Sequence, residues 1–234
     1  MKYRMNHCVR FSEVSSNQHA GIAQLINYFQ DCSSFHSNSL GVGFDYLAKN
    51  HRAWLMSGWQ IEVDRFPVFG EEITIETWPY DWKGVYGFRN FHIIDSNNHE
   101  IVRANSIWVH MDTKEGKPLR YDGKEVDLYG TEPKLDMTYY PRKIRAPKTF
   151  TQAEPFAVIR SYIDTYQHMN NAQYVSLAEE YLPEDFDIHS LRVYYKQAAV
   201  AGDVIYPRIT ADENTYTIQL CREDGDPYAI ISFS

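Results

Sequence analysis

The spacing of apolar residues predicts two helices, one in each half of the chain. In the first half, apolar side chains recur at positions i, i+3, i+4 and i+7, namely Ile22, Leu25, Ile26 and Phe29. That spacing places them on one face of a helix, which runs toward Phe35 and breaks at residues 41–43. A weaker pattern follows Asn170, at Val175, Ala178 and Leu182, and we expect Pro183 to stop that helix.

Each predicted helix is followed by segments in which apolar and polar residues alternate, as in half-buried strands. Residues 59–78 alternate on both sides of a turn at Gly70-Glu71, and residues 191–209 alternate on both sides of Gly202-Asp203. A hairpin then follows in both halves, with turns predicted at residues 96–98 and at Asp224-Gly225.

The chain therefore repeats one order of elements: a helix, two strands and a hairpin. Short identities accompany the repeat, since Gln18-His19 and Ala23-Gln24 recur as Gln167-His168 and Ala172-Gln173 at one fixed offset. We interpret residues 1–132 as an N-terminal half, 133–152 as a proline-containing linker and 153–234 as a C-terminal half. A helix must bury its apolar stripe against a sheet, so we predict an α+β fold with a central helix on an antiparallel sheet in each half.

Composition narrows the functional classes. The net charge of −8 argues against a nucleic-acid-binding protein, which normally presents a basic face. The cysteines Cys8, Cys32 and Cys221 are widely spaced and form no C-x-x-C pair, which is typical of a reducing compartment. We find neither the apolar run of a signal peptide nor a stretch near the roughly 18 residues of a membrane span. We therefore expect a soluble cytoplasmic protein.

Candidate chemistry concentrates just before the second helix, in the segment "DTYQHMNNAQY". At the shared offset, Asp164 replaces Ser15, so the acid distinguishes the second copy from the first. Asp164 could orient or deprotonate a water molecule and His168 could share the proton, while free amides at the helix start could stabilise an oxyanion. Asn170 has a structural alternative as a helix cap with Gln173, and His168 has one too, because His19 is present in the first copy.

The chain resembles the plant and bacterial acyl-acyl carrier protein thioesterases, which have a double hotdog fold. The resemblance rests on "DTYQHMNNAQY", on "YGFRNFHIID" with "SIWVHMD", on "VYYKQAAVAGD", and on their order along the chain. It implies hydrolysis of fatty acyl thioesters to free fatty acid and carrier thiol, with the acyl chain held in a cavity of the other half. It also implies that Asp164 and His168 are the catalytic acid and histidine.

The resemblance assigns further residues by position. Asn170 and Asn171 match the residues that follow the catalytic histidine and are candidate catalytic residues. Tyr174 matches the tyrosine after them and Glu180 lies where the family often has an acid, so we expect both in supporting roles. Two positions depart from the pattern. Tyr166, which stays a candidate catalytic residue, replaces an asparagine. Gln197, a candidate supporting residue, stands where the following strand of the family carries a carboxylate or cysteine. A mechanism that needs an acid or thiol at that strand position cannot operate unchanged here.

A basic run, "PRKIRAPK", stands out in this acidic chain. Its charged members are Arg142, Lys143, Arg145 and Lys148. Such a run is ordinarily a solvated linker, but it is also a candidate docking patch for acyl carrier protein, an acidic partner that bears the acyl chain on 4'-phosphopantetheine. We expect no nucleic-acid partner and no membrane span, and the chain could be a monomer or a homodimer.

Three functions remain open from sequence: a thioester hydrolase, a hotdog-type dehydratase acting on acyl thioesters, and a non-catalytic acyl-binding module. The paired asparagines and the tandem layout favour the hydrolase, with no covalent acyl-enzyme, because no G-x-S-x-G elbow or cysteine lies in the segment. No metal or other cofactor is predicted, since the chain contains no H-E-x-x-H motif, no Cys/His cluster and no glycine-rich phosphate loop.

Overall fold

A computed structural model describes residues 1–121, 123 and 125–234. Its helices are α1 (Ile22–Ser39), α2 (Phe44–Lys49), α3 (Val126–Tyr129) and α4 (Asn171–Glu179). The strands of the N-terminal half are β1 (Tyr3–Cys8), β2 (Arg52–Val63), β3 (Glu72–Lys83), β4 (Tyr86–Asp95), β5 (Glu100–Asp112) and β6 (Lys117–Pro118). The remaining strands are β7 (Thr151–Gln152), β8 (Phe156–Ala157), β9 (Ser190–Tyr195), β10 (Val204–Asp212), β11 (Thr215–Cys221) and β12 (Pro227–Phe233).

Within the described residues these strands form one antiparallel sheet. Its order is β1-β3-β4-β5-β2-β9-β12-β11-β10-β7, with β6 beside β5 and β8 beside β10. The two halves join where β2 pairs with β9, from Gly58 opposite Tyr194 to Glu62 opposite Ser190. Edge-to-edge pairing within one chain therefore extends the sheet across both halves, and the two predicted hairpins, β4–β5 and β11–β12, are both present.

The long helix α1 packs on the sheet with its predicted face. Ile22, Leu25, Ile26 and Phe29 are fully buried, and the Phe29 ring lies 5.0 Å from that of Phe91 on β4. Helix α4 ends earlier than expected, at Glu179, because the amides of Tyr181 and Leu182 bond carbonyls three residues back and tighten the chain into turns. Leu182 packs at the margin of the core, beyond the helix.

The sheet face opposite the helices is covered by residues 133–149, which we call the strap. Adjacent strand residues point to opposite faces, so Asn90 and Gln60 face away from α1 while their neighbours Phe91 and Trp59 face it. The side-chain oxygen of Asn90 accepts the Leu135 N–H at 3.1 Å, and that of Gln60 accepts the Tyr140 N–H at 3.1 Å.

The strap then continues onto the C-terminal half of the sheet. Arg192 donates to the Pro141 carbonyl at 2.9 Å, Gln219 to that of Pro147 at 3.1 Å, and Thr210 to that of Thr149 at 2.7 Å. The segment predicted as a linker thus crosses both halves, and polar side chains inside the strands bond its backbone. Beyond the strap, Thr151–Gln152 adds to the sheet edge as β7, paired with β10.

Candidate active site

The segment before α4 forms a tight loop closed by Asp164 and His168. The Asp164 N–H donates to the His168 carbonyl at 2.8 Å, and the Gln167 N–H donates to the Asp164 carbonyl at 3.0 Å. The Asp164 Oδ1 also accepts the N–H groups of Tyr166 at 2.8 Å and His168 at 3.4 Å. One carboxylate oxygen therefore organises the turn, and no protein hydrogen bond to Oδ2 occurs among the described residues.

The first copy builds the same loop without the acid. Ser15 and His19 are joined by an N–H to carbonyl bond of 3.0 Å, and Gln18 has a positive φ of 65°, against 63° at Gln167. The Ser15 hydroxyl bonds the Asn17 side-chain oxygen at 2.7 Å, in place of the carboxylate contacts of Asp164. The backbone repeat is therefore real, and only the second loop contains a carboxylate.

The acidic loop lies at a cavity of about 520 Å³, a volume typical of small-molecule sites. Asp164, Tyr166, His168 and Asn171 line it from the C-terminal half. The N-terminal half contributes the second part of α1, the start of α2, and residues of β2 and β5, including Trp54, Met56, Trp108 and Val109. The cavity thus extends from the loop of one half into the body of the other.

The two asparagines at the start of α4 have different environments. Asn170 is the helix cap, because its side-chain oxygen accepts the Ala172 N–H at 2.9 Å. Asn171 lines the cavity, and its side chain donates to Gln30 of α1 at 2.7 Å. The Tyr195 hydroxyl also donates to the Asn171 carbonyl at 2.8 Å. Asn170 is therefore a helix cap, but without the predicted box with Gln173, because its own N–H donates to the Tyr162 carbonyl. Asn171 ties the helix start to the other half.

The predicted supporting residues Tyr174, Gln197 and Glu180 have different surroundings. The buried Tyr174 hydroxyl accepts the Ala199 N–H at 2.8 Å, and burial raises the pKa of this phenol to about 12. Gln197 lines the cavity and donates to Asp226 at 3.1 Å, beside an ion pair between Asp226 and Lys196. Glu180 is exposed at the C-cap, at the end of α4 away from the loop. Its supporting role stays a prediction.

Tyr166 lies at the edge of the cavity and touches the other half. Its ring meets Phe44 of α2 edge-on, with centroids 5.7 Å apart, and both rings line the cavity. Burial and the nearby charge of Asp164 raise the pKa of the Tyr166 phenol. The sequence signalled Tyr166 but not Phe44, which follows the glycine break and belongs to no motif.

The basic run divides into one inward and three outward side chains. Arg142 lines the cavity, donates to the Ser57 hydroxyl at 2.7 Å, and lies between the rings of Tyr86 and Tyr194. The pairing of β2 with β9 stops at Gly58, so residues 52–57 of β2 have no β9 neighbour. Arg142 lies beside Gly58, at the point where this pairing stops. Lys143, Arg145 and Lys148 are exposed on the strap.

Two further features of the described residues bear on function. None of their helices combines the length and apolarity that a membrane crossing requires. Their His, Cys, Asp and Glu side chains form no group of three or more that could hold a metal ion.

Comparison with known proteins places these features in a family. The family model for the acyl-ACP thioesterase N-terminal domain matches residues 1–128, and the model for the C-terminal domain matches residues 145–226. The oleoyl-acyl carrier protein thioesterase 1, chloroplastic, of Arabidopsis thaliana is 26% identical over 226 residues. That match covers 88% of this chain, which spans only 62% of the length of the relative.

Solved structures agree in fold. An acyl-ACP thioesterase from Bacteroides thetaiotaomicron superposes with a TM-score of 0.89 at 20% identity, covering 99% of this chain and 96% of that one. The 12:0-ACP thioesterase from Umbellularia californica gives 0.86 at 19% identity, covering 100% and 96%. The predicted α+β double hotdog fold is thereby confirmed. Because the two family models together match most of its length, the chain belongs to the acyl-ACP thioesterase family.

Proposed function

We propose that this protein hydrolyses fatty acyl-acyl carrier protein thioesters, releasing free fatty acid and the carrier thiol. The observation that carries the proposal is the loop of Asp164 and His168, which lies at one end of a cavity extending into the other half. The aromatic and aliphatic lining of that cavity suits an acyl chain. Family membership supports the same reaction.

Asp164 is the group that we assign to activate water. Its Oδ1 is occupied by the turn, so Oδ2 is the oxygen available to orient a water molecule or accept its proton. His168, on the same loop and also lining the cavity, shares the proton and delivers it to the departing thiolate. Water attacks the thioester carbonyl, the C–S bond breaks, and no covalent acyl-enzyme forms.

The oxyanion is assigned to the start of α4. Asn170 uses its own side chain to bond the Ala172 N–H, and its carbonyl accepts the Gln173 N–H. The Asn171 N–H has no hydrogen-bond acceptor among the described residues, and the helix dipole adds partial positive charge there. Gln30 and Tyr195 hold Asn171 in place from two other elements. Developing negative charge on the carbonyl oxygen is therefore best stabilised at this amide.

The two departures from the family pattern shape this mechanism. Gln197 cannot accept a proton as a carboxylate would, and its amide is already bonded to Asp226. Acid–base chemistry therefore rests on Asp164 and His168. Tyr166 offers a ring against Phe44, and we assign it to enclosing the thioester at the cavity edge.

We assign carrier docking to the exposed part of the strap. Lys143, Arg145 and Lys148 lie beside Arg142, whose guanidinium lines the cavity, so a basic surface leads toward the site. Acyl carrier proteins are strongly acidic, and long-range attraction would orient the 4'-phosphopantetheine arm toward the opening.

We place the reaction in the cytoplasm, because all three cysteines are unpaired, as in a reducing compartment. We also propose that the chain divides into an N-terminal half at residues 1–132, a linker at residues 133–152 and a C-terminal half at residues 153–234.

The decisive test is Asp164→Asn, with thiol release followed on acyl-carrier substrates. Asparagine retains an oxygen that can accept the Tyr166 and His168 N–H groups, so the loop should remain folded while turnover falls by about 10²- to 10⁴-fold. Ser15→Ala, at the matching position of the first copy, is the control and should leave turnover unchanged. An Asp164→Asn protein that is folded and hydrolyses at the native rate would refute the assignment. A dehydratase would leave the thioester intact and release no thiol.

The docking surface is tested by reversing Lys143, Arg145 and Lys148 to glutamate together. We expect KM for the carrier-bound substrate to rise, and the rise to shrink with added salt, because exposed charges are screened. Hydrolysis of a short acyl-CoA should stay nearly constant. Equal losses on both substrates would count against docking at the strap.

A further inference from the structure

One buried charge on the helix-facing side of the sheet has no role in the mechanism above. Arg89 of β4 is only 6% exposed, and its Nη1 donates to His36 Nδ1 at 3.0 Å and to the Thr77 hydroxyl at 3.1 Å. Its guanidinium carbon lies 5.3 Å from the centroid of the Tyr129 ring. Its Nε and Nη2 groups have no protein acceptor among the residues that the structure describes.

No carboxylate in the described part of the chain forms a salt bridge with Arg89. The neighbouring His36 cannot supply negative charge, and burial together with the Arg89 charge lowers the pKa of this imidazole to about 3. A neutral His36 accepts the Arg89 hydrogen bond through an unprotonated Nδ1. Burying a cation without a counter-ion is costly, and the described residues offer this one no anion, so a bound anion or strong acceptor would stabilise it.

Arg89 lines a small pocket of about 50 Å³ that adjoins the main cavity. Four residues line both spaces: Ser33, Ser37, Trp54 and Trp108. Ser37 lies two helical turns beyond Gln30 on α1, about 10 Å along the axis at about 1.5 Å per residue. Gln30 bonds Asn171, so the small pocket lies about two turns of α1 beyond the contact with the start of α4.

A second donor lies at the same pocket. The indole N–H of Trp82, which also lines the pocket, is buried and has no hydrogen-bond partner among the described residues. The Tyr129 hydroxyl, by contrast, is already bonded to the Ser37 hydroxyl at 2.8 Å. The Trp82 N–H has almost no accessible surface, so the unused donors open to the pocket are those of Arg89. A ligand that completes it must supply oxygen acceptors.

We propose that this pocket receives the distal end of acyl chains that terminate in an oxygen acceptor, with a terminal carboxylate bound most tightly. The inference rests on the proposed function, because it assumes that the main cavity holds an acyl chain. The carboxylate oxygens accept from Arg89 Nε or Nη2, and the chain itself lies along the apolar wall. A terminal methyl group would leave those donors unpaired.

The test compares non-hydrolysable S-alkyl pantetheine thioethers that differ only at the distal end, across a series of chain lengths. The thioether fixes the orientation, since a free fatty acid could enter with its own carboxylate toward Arg89. Calorimetry on the wild-type protein should show the carboxylate-terminated ligand binding about tenfold to a hundredfold more tightly than the methyl-terminated one at the fitting length. The hydroxyl-terminated ligand should fall between them.

Arg89→Met keeps much of the side-chain length and removes the charge, so it should abolish the preference for a carboxylate. Arg103→Met is the control, because Arg103 pairs with Glu62 and Asp64 on the surface, and its loss should leave the preference intact. The wild-type comparison decides the question even if Arg89→Met fails to fold.

Methyl-terminated ligands that bind as tightly as carboxylate-terminated ones at every length would overturn the inference. In that case the pocket would hold ordered water only. Thiol release from methyl-terminated substrates would show that the proposed hydrolase function still stands. If no acyl substrate of any kind released thiol, the hydrolase proposal would fail, while the binding preference could still be measured.

Discussion

Asn90 provides a quantitative test of how the strap is held. This residue is fully buried on β4, its Oδ1 accepts from the Leu135 N–H at 3.1 Å and the Tyr139 hydroxyl at 3.0 Å, and its Nδ2 donates to the Ala104 carbonyl at 3.0 Å. Asn90→Ala removes these three bonds and leaves their partners in a poorly solvated layer. At about 1 kcal/mol per bond, the free energy of unfolding should fall by about 3 kcal/mol.

The assay is urea unfolding supported by calorimetry. For a chain of this size, a loss of about 3 kcal/mol lowers Tm by roughly 10 °C. Trypsin should cut the exposed Lys134 and Lys143 more quickly, because the released strap becomes locally mobile. The strap also carries Arg142 to the cavity, so KM should rise while kcat changes little.

Asn214→Ala is the matched control, since Asn214 is exposed in the β10–β11 turn and its loss should cost no more than about 0.5 kcal/mol. If Asn90→Ala unfolds within that same margin of the native protein and trypsin cleavage is unchanged, Asn90 does not hold the strap. The polar residues inside the strands would then need a different explanation.

Two further predictions follow from buried groups. Burial alone would raise the pKa of Glu76, but hydrogen bonds from His92 and Arg4 lower it below its usual value of 4.5. The stabilisation by ionised Glu76 is therefore present above about pH 4.5 and is lost as pH falls through the lowered folded pKa, so Glu76→Gln should flatten the acid limb of an unfolding titration. An unchanged acid limb would contradict this. A thiol reagent should modify only Cys8 in the native protein and all three cysteines after unfolding, because Cys32 and Cys221 are buried and burial raises the pKa of both thiols. Rapid modification of a second native cysteine would show that the core is open.

Local sequence patterns predicted the elements well where one physical constraint dominated. The apolar face of α1 follows from a spacing that only a helix can bury on one side, and the hairpin at residues 96–98 follows from turn residues between alternating strands. The repeat also predicted equivalent loops, and Gln18 and Gln167 do share a positive φ. The end of α4 was predicted too late, because Pro183 marks only where a helix cannot continue and not where it first becomes unfavourable.

The linker shows the limit of such patterns. Residues 133–149 have no apolar period, because their backbone bonds side chains of strands distant in sequence. The sequence of such a segment alone does not distinguish it from an exposed loop. Nothing in the local sequence explains why the polar residues Asn90, Gln60 and Gln219 lie inside strands, because their hydrogen-bond partners are on the strap.

For the candidate site, the sequence by itself determined which copy of the repeat holds the acid and which residues stand at the start of α4. Covalent order is enough for that, since Asp164, His168 and Asn171 are close along the chain. Only the tertiary structure decided what faces them: Gln30, Phe44 and Arg142 come from separate elements, and Arg89 lines a second pocket that contains no residue of the Asp164 loop. These contacts depend on how two half-sheets join and how α1 crosses them, which local spacing does not encode.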